Sequence, residues 1–359
     1  MVTLQDAQQQ MGAVLDPAVA EGQVPAHFGN DPAAIAAVTA GVALVDRSHW
    51  ALLQLTGDDR SLFLHNQSTA NIKTLQPGQG CQTVLVTSTA RTLDLATVAV
   101  TAEALDLLVS PGMGPTLFRW LDRYIFPADR VALADISGQF AIFSLLGPQS
   151  ALCLQQLGAA LEELSALEPF AHQTMILAQD VTVRVQRGSG LATDGYTLWV
   201  TNDRAGDLWQ AIAQAGAVPL GEQAWEQLRI AEGRPAVGHE LTEDYNPLEA
   251  GLWTAISFNK GCYIGQETIA RLNTYNGVKL NLWGFRLPRV IATPCPILQA
   301  DQKVGTLTSC VATENGAIGL GYLRTKVGGA GLSVMIDHCP TDAIDLPFIT
   351  RELANTIDH

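Results

Sequence analysis

Lys260-Gly261-Cys262-Tyr263-Ile264-Gly265 brings a thiol, an ammonium and two glycines together, just ahead of Gln266-Glu267 and a helix-like run over 268–272. A thiol acts as nucleophile or soft ligand only as its thiolate. Amides at a helix start near Gln266 and Glu267, with the ammonium of Lys260, are the groups that would favour that form. Glycines permit turns that other residues resist and let a ligand approach the backbone closely. The same residues also read as a small apolar cysteine in a glycine-shaped turn, inert once buried. The other five cysteines, Cys81, Cys153, Cys295, Cys310 and Cys339, lie in apolar or turn surroundings and read as packing residues. No CxxC pair joins any of the six, and the histidines show no ligand spacing, so no metal site is expected. No glycine-rich phosphate loop stands at a strand-to-helix junction.

The elements that must hold this segment follow from periodicity and turn residues. Alanine-rich helical pieces fill the first forty positions, broken by Gly22, Pro25, Gly29 and Pro32. A strand at Ala51–Thr56 stops at Gly57, and Asp58-Asp59 then suit the start of a helix over Arg60–Gln67. Pro77-Gly78 is a turn, strands are expected at 83–87, 93–100 and 105–109, and a helix over 115–125. A similar cycle opens at 141–145, with Gly147-Pro148, a helix over 150–157 and strands at 181–186 and 196–200. Two such cycles predict α+β units with mixed or antiparallel sheets. Beyond Val278, short strand candidates at 283–287, 305–309, 317–322 and 332–336 predict a small all-β barrel.

Composition bounds the functions open to this architecture. The 359 residues are 47% hydrophobic and 16% charged, the balance of a packed globular chain large enough for two or three domains. With 21 basic against 35 acidic residues the net charge is −14, which disfavours nucleic acid and anionic membranes as partners. An anionic ligand would have to find the few cations clustered in a pocket. Scattered cysteines, no secretory signal and no apolar run of membrane-spanning length point to a cytoplasmic protein without a membrane partner.

Lys-Gly-Cys-Tyr-Ile-Gly-Gln-Glu over 260–267 resembles the signature of the YgfZ family, a branch of the glycine-cleavage T-protein superfamily. The resemblance covers most of the chain. Gln227–Gly233 is similar to a helix shared by T-proteins and YgfZ, 247–252 to the loop after it, Val45-Asp46-Arg47-Ser48-His49-Trp50 to the T-protein opening, and 67–71 and 75–78 to two upstream stretches. The variant looks most like the cyanobacterial and plastid type.

That resemblance implies a three-domain cloverleaf around a central channel holding tetrahydrofolate: two α+β domains, 1–135 and 136–275, and a small C-terminal β-barrel, 276–359. Arg229 takes the family's folate-contacting position, where a guanidinium suits carboxylate or ring-carbonyl recognition. Asp94 matches the first aspartate of a T-protein strand that assists one-carbon transfer, with Leu95 in place of the second and Ala90-Arg91 in place of a glycine pair. Asp194 and Tyr196 belong to the pterin loop, in which Thr193 replaces the family's glutamate acceptor. Lys260 is expected beside the ligand, with Cys262 and Asp94 the candidate catalytic groups. The function implied is a tetrahydrofolate-binding accessory factor for iron–sulfur enzymes, including those that modify tRNA, its partners being a reduced folate and iron–sulfur proteins. An aminomethyltransferase and a non-enzymatic folate-binding scaffold are the alternatives.

Overall fold

The computed structural model describes residues 2–352. The chain forms two compact units and passes between them several times. Among the described residues, one comprises residues 2–63, Ile72–Cys81 and Ala96–Trp225; the other comprises Leu64–Asn71, Gln82–Leu95 and residues 226–352.

The first unit is built on a six-stranded sheet in the order Val218–Leu220, Ala43–Asp46, Phe140–Leu146, Gly195–Thr201, Val181–Arg187, His172–Leu177. Its first pair is parallel and the rest antiparallel, with Leu145 opposite Tyr196. Helix Ala205–Gln214 turns Leu208, Trp209 and Ile212 toward this core. Trp209 is fully buried, edge-on to Phe143 and stacked with Phe28. Burying such a ring contributes on the order of 2–3 kcal/mol. A second set of antiparallel strands pairs residues 97–100 with Ala104–Val109, that strand with Ala51–Thr56, and Ala51–Thr56 with Ala132–Asp135. Helix Gly114–Asp122 buries Leu117 and Leu121.

In the second unit the strands Leu280–Leu287, Gly316–Arg324, Gln302–Thr313, Cys295–Gln299, Ser333–Ile336 and Cys339–Ile344 close into a barrel. Trp283, Phe285, Leu307, Leu323 and Ile336 fill it. The strand Gln302–Thr313 carries a bulge between Leu307 and Ser309. Consecutive side chains of a regular strand point to opposite faces, and a bulge breaks that rule. Thr308 and Ser309 therefore both reach Glu240. The α+β class with mixed and antiparallel sheets and a small C-terminal β-barrel is thus the one the chain adopts. The helix expected over 268–272 extends over Gln266–Thr274, and barrel strands Cys295–Gln299 and Cys339–Ile344 add to those expected. Among the described residues no helix is long and apolar enough to cross a membrane.

Candidate functional site

The cysteine segment is anchored to Leu64–Asn71 and to the turn at 86–90, both in the same unit. Helix Arg60–Gln67 ends with carbonyls that have no partner within the helix. Lys260, 7% exposed, supplies one: its Nζ donates to the carbonyls of His65 at 2.5 Å, Ser68 at 2.7 Å and Ala70 at 2.6 Å. The ammonium also lies 4.7 Å from the centre of the Tyr263 ring. The amide of Ser257 donates to the carbonyl of Thr69 at 2.9 Å, and that of Ile264 to Asn66 at 3.0 Å. Gly265 adopts φ +79° ahead of helix Gln266–Thr274, and a Cβ there would stand 2.8 Å from the carbonyl oxygen of Thr87. Only glycine fits both the left-handed backbone and that approach. Positions 257, 260, 264 and 265 are thereby tied down, while Cys262 is the one exposed cysteine of the six.

The reading of Cys262 as a buried packing residue is therefore overturned. The expected position of Lys260 also changes. All three of its protons go to backbone carbonyls, which leaves none for a ligand.

Arg229, on helix Glu222–Glu232, is 2% exposed. Its Nε and Nη2 donate to Glu226, its Nη1 to Glu240 at 2.8 Å and its Nη2 to Ser309 at 2.9 Å. Burial works against its charge, but Glu240 and Glu226 outweigh that and hold the guanidinium above its ordinary value. Glu240 is fully buried and accepts further hydrogen bonds from Thr308 at 2.6 Å, Ser309 at 2.7 Å and the amide of Ala236 at 3.1 Å. Tyr322 donates to its carbonyl at 2.8 Å. In this structure Arg229 joins its helix to the barrel.

Asp94 is fully buried, and its Oδ1 accepts the amide of Leu95 at 2.8 Å. Its charge acts on Arg234, 4% exposed, which burial pushes down to about 10 against the pull of Asp94. Ala90 adopts a left-handed φ of +61°. Arg234 and Glu240 were not singled out from the sequence. A second arginine directly after the 227–233 run is the signal that could have drawn attention to Arg234.

Asp194 and Tyr196 belong to the other unit. Asp194 is exposed, and its carbonyl accepts the amide of Gly147 at 2.9 Å. Tyr196 is buried on strand Gly195–Thr201, which raises its pKa. The same unit holds Arg47 between the rings of Trp50, 3.9 Å from its guanidinium, and Trp225, 5.0 Å away. Arg47 donates to Ser144 at 3.1 Å and to the carbonyl of Ser189 at 3.2 Å. A Cβ on Gly190 would stand 2.4 Å from its Nη1, so the glycine makes room for the cation.

The donor chemistry tests how these residues suit a reduced folate. Arg229 and Lys260 are committed to their own chain and do not fit the role of cations for a glutamate tail. Asp94 is enclosed with Arg234. Asp194 presents an exposed carboxylate, the group that pairs with adjacent pterin N–H donors.

Comparison with known proteins gives a consistent set of relatives. The model of the GCVT N-terminal domain matches residues 4–260. A chloroplastic protein of Arabidopsis thaliana, provisionally named a transferase, is 40% identical over 337 residues, 93% of this chain and 77% of its own. The aminomethyltransferase of Synechococcus elongatus is 29% identical over 326 residues, 87% of this chain and 86% of its own. Among solved structures, the glycine cleavage system aminomethyltransferase T of Bartonella henselae superposes with a TM-score of 0.82 at 20% identity, covering 96% of each chain, and so shares the fold.

Proposed function

Since the chain belongs to the family of the GCVT N-terminal domain, we propose that it is a YgfZ-like member of that family. In this reading it binds tetrahydrofolate and supports iron–sulfur enzymes, including those that modify tRNA, and the Cys262 thiol is its working group. One observation carries the reading: the segment is fixed at Lys260, Ile264 and Gly265 while Cys262 stays exposed. A loop whose only purpose was to pack would turn its cysteine inward. The relevant partners are a reduced folate, met by Asp194, and iron–sulfur proteins that can reach an exposed sulfur. A net charge of −14 argues against direct contact with tRNA. Complementation of a strain lacking the YgfZ protein is the test. Cys262→Ala is expected to abolish rescue with the folded protein still present, and full rescue by that variant sinks the thiol role. Titration with tetrahydrofolate tests the ligand separately.

The second reading, an aminomethyltransferase, is supported by the name of the Synechococcus elongatus relative and by Asp94. Against it, Asp94 is enclosed with Arg234, Leu95 replaces the second aspartate and Thr193 the pterin glutamate. Turnover of a lipoyl-carried aminomethyl group, lost in Asp94→Ala, would establish it.

A further inference from the structure

Basic residues are scarce in this chain, 21 of 359, yet Arg91, Lys279, Arg324 and Lys326 line one cavity of about 500 Å³ together with Asp244 and Glu249. The four cations come from three separated stretches of the second unit. Their backbone is fixed. Thr325 donates its amide to the carbonyl of Lys279 at 2.9 Å and its hydroxyl to that of Val278 at 3.0 Å, which clamps the 278–279 link to the Arg324–Lys326 turn. Arg91 donates to the carbonyl of Asp244 at 2.8 Å. Glu249 is buried, and its carboxylate accepts backbone amides of Asn246, Lys279 and Leu280.

Six other arginines of the chain take part in ion pairs: Arg130, Arg184, Arg204, Arg229, Arg289 and Arg351. Among the described residues, the four cations of this cavity form none. Like charges held together by the fold repel one another, and an anion that bridges them relieves that repulsion. Because the sites are already in place, little ordering is needed on binding.

We propose that this cavity binds a small polycarboxylate, a ligand with two or more carboxylates spaced along a short carbon stem. Guanidinium groups match carboxylates in a bidentate manner, and the two lysines act as point charges beside them. Asp244 and Glu249 share the lining with the four cations, and carboxylates in the wall oppose the dense charge of a compact phosphate more than a ligand whose carboxylates are spaced apart. Leu280 gives the stem an apolar contact. The carboxylates could belong to an oligo-γ-glutamyl chain or to a free tricarboxylate. The assignment is independent of the folate reading.

Calorimetric titration of the full chain with tri-γ-glutamate and with citrate tests it. At least one probe is expected to bind saturably, and Lys326→Glu and Lys279→Glu, made separately and checked for native circular dichroism, are each expected to weaken that binding at least tenfold. Tri-γ-glutamate binding alone marks a glutamyl chain as the source, and citrate alone or tighter marks a free acid. The proposal falls if neither probe binds, if both variants bind as the parent does, or if only tripolyphosphate binds. A tetrahydropterin without carboxylates reports on the folate reading in the same instrument, so either idea can fail alone.

Discussion

Lys260 Nζ and the carbonyl oxygen of His65 lie 2.5 Å apart, although 195 residues separate them in the chain. With Ser68 and Ala70 completing the set, one side chain caps the end of helix Arg60–Gln67 and fixes the segment that presents Cys262. Lys260→Met keeps the apolar stem and removes the donors, so each of three buried carbonyls loses a charged hydrogen bond. Charged hydrogen bonds contribute about 1.5–3 kcal/mol each and are not additive here, so a loss of roughly 3 kcal/mol is expected. Urea denaturation measures it, and a change under about 1 kcal/mol would reduce the cap to an incidental contact.

Arg229 and Glu240 form a buried pair at 2.8 Å, with side chains 2% and 0% exposed. Breaking such a pair from one side costs about 3–5 kcal/mol, whereas replacing both partners is much milder. Arg229→Met and Glu240→Gln are each expected to fall in that range. The double variant should lose less than the sum, since neither charge is then left alone. Additive losses in a double-mutant cycle would show that the two residues act separately.

Exposure orders the cysteines by reactivity. Cys153 is buried, and burial pushes its thiol up to about 11; Cys339 is buried too. Under limiting iodoacetamide at neutral pH, mass spectrometry should find Cys262 carboxamidomethylated first, with Cys153 and Cys339 unmodified until the chain is unfolded. Labelling of Cys153 ahead of Cys262 in the native protein would contradict the arrangement of the loop.

The sequence made the classes of element readable, and long-range pairing decided what lay beyond reach. Strands around 283–287 and 317–322 stand out because apolar positions alternate between turn residues. Cys295–Gln299 and Cys339–Ile344 were missed because Pro296 and Pro340 interrupt short runs, and proline is tolerated only at strand starts and edges. The motif around Arg229 marked the residue as important but not its role, since its partners Glu240 and Ser309 lie 11 and 80 residues further on. Ser309 reaches Glu240 only through a bulge, and bulges leave no mark on periodicity. Local reasoning assigns Lys260 to the sulfur beside it, yet the end of a distant helix and the residues just after it offer three carbonyls that no local argument reveals. The glycines of 260–267 were the most legible feature, because Gly265 requires a left-handed turn that few other residues adopt.

His49 makes the first unit sensitive to acid. Its side chain is 3% exposed, and burial, with Arg47 as the second cause, lowers its pKa to about 4. The carboxylate of Glu222 stands 3.7 Å away, too far for a hydrogen bond, and does not offset these effects. A folded-state value below the unfolded 6.5 means that the unfolded chain takes up the proton first. The stabilisation is therefore complete above about pH 6.5 and is lost as pH falls toward 4. Between pH 7 and pH 4.5 this group alone should remove roughly 2 kcal/mol. In His49→Gln, which cannot titrate, the fall in unfolding free energy over that interval should be smaller by the same amount. Equal falls for parent and variant would mean that His49 is protonated as easily in the folded chain as in the unfolded one.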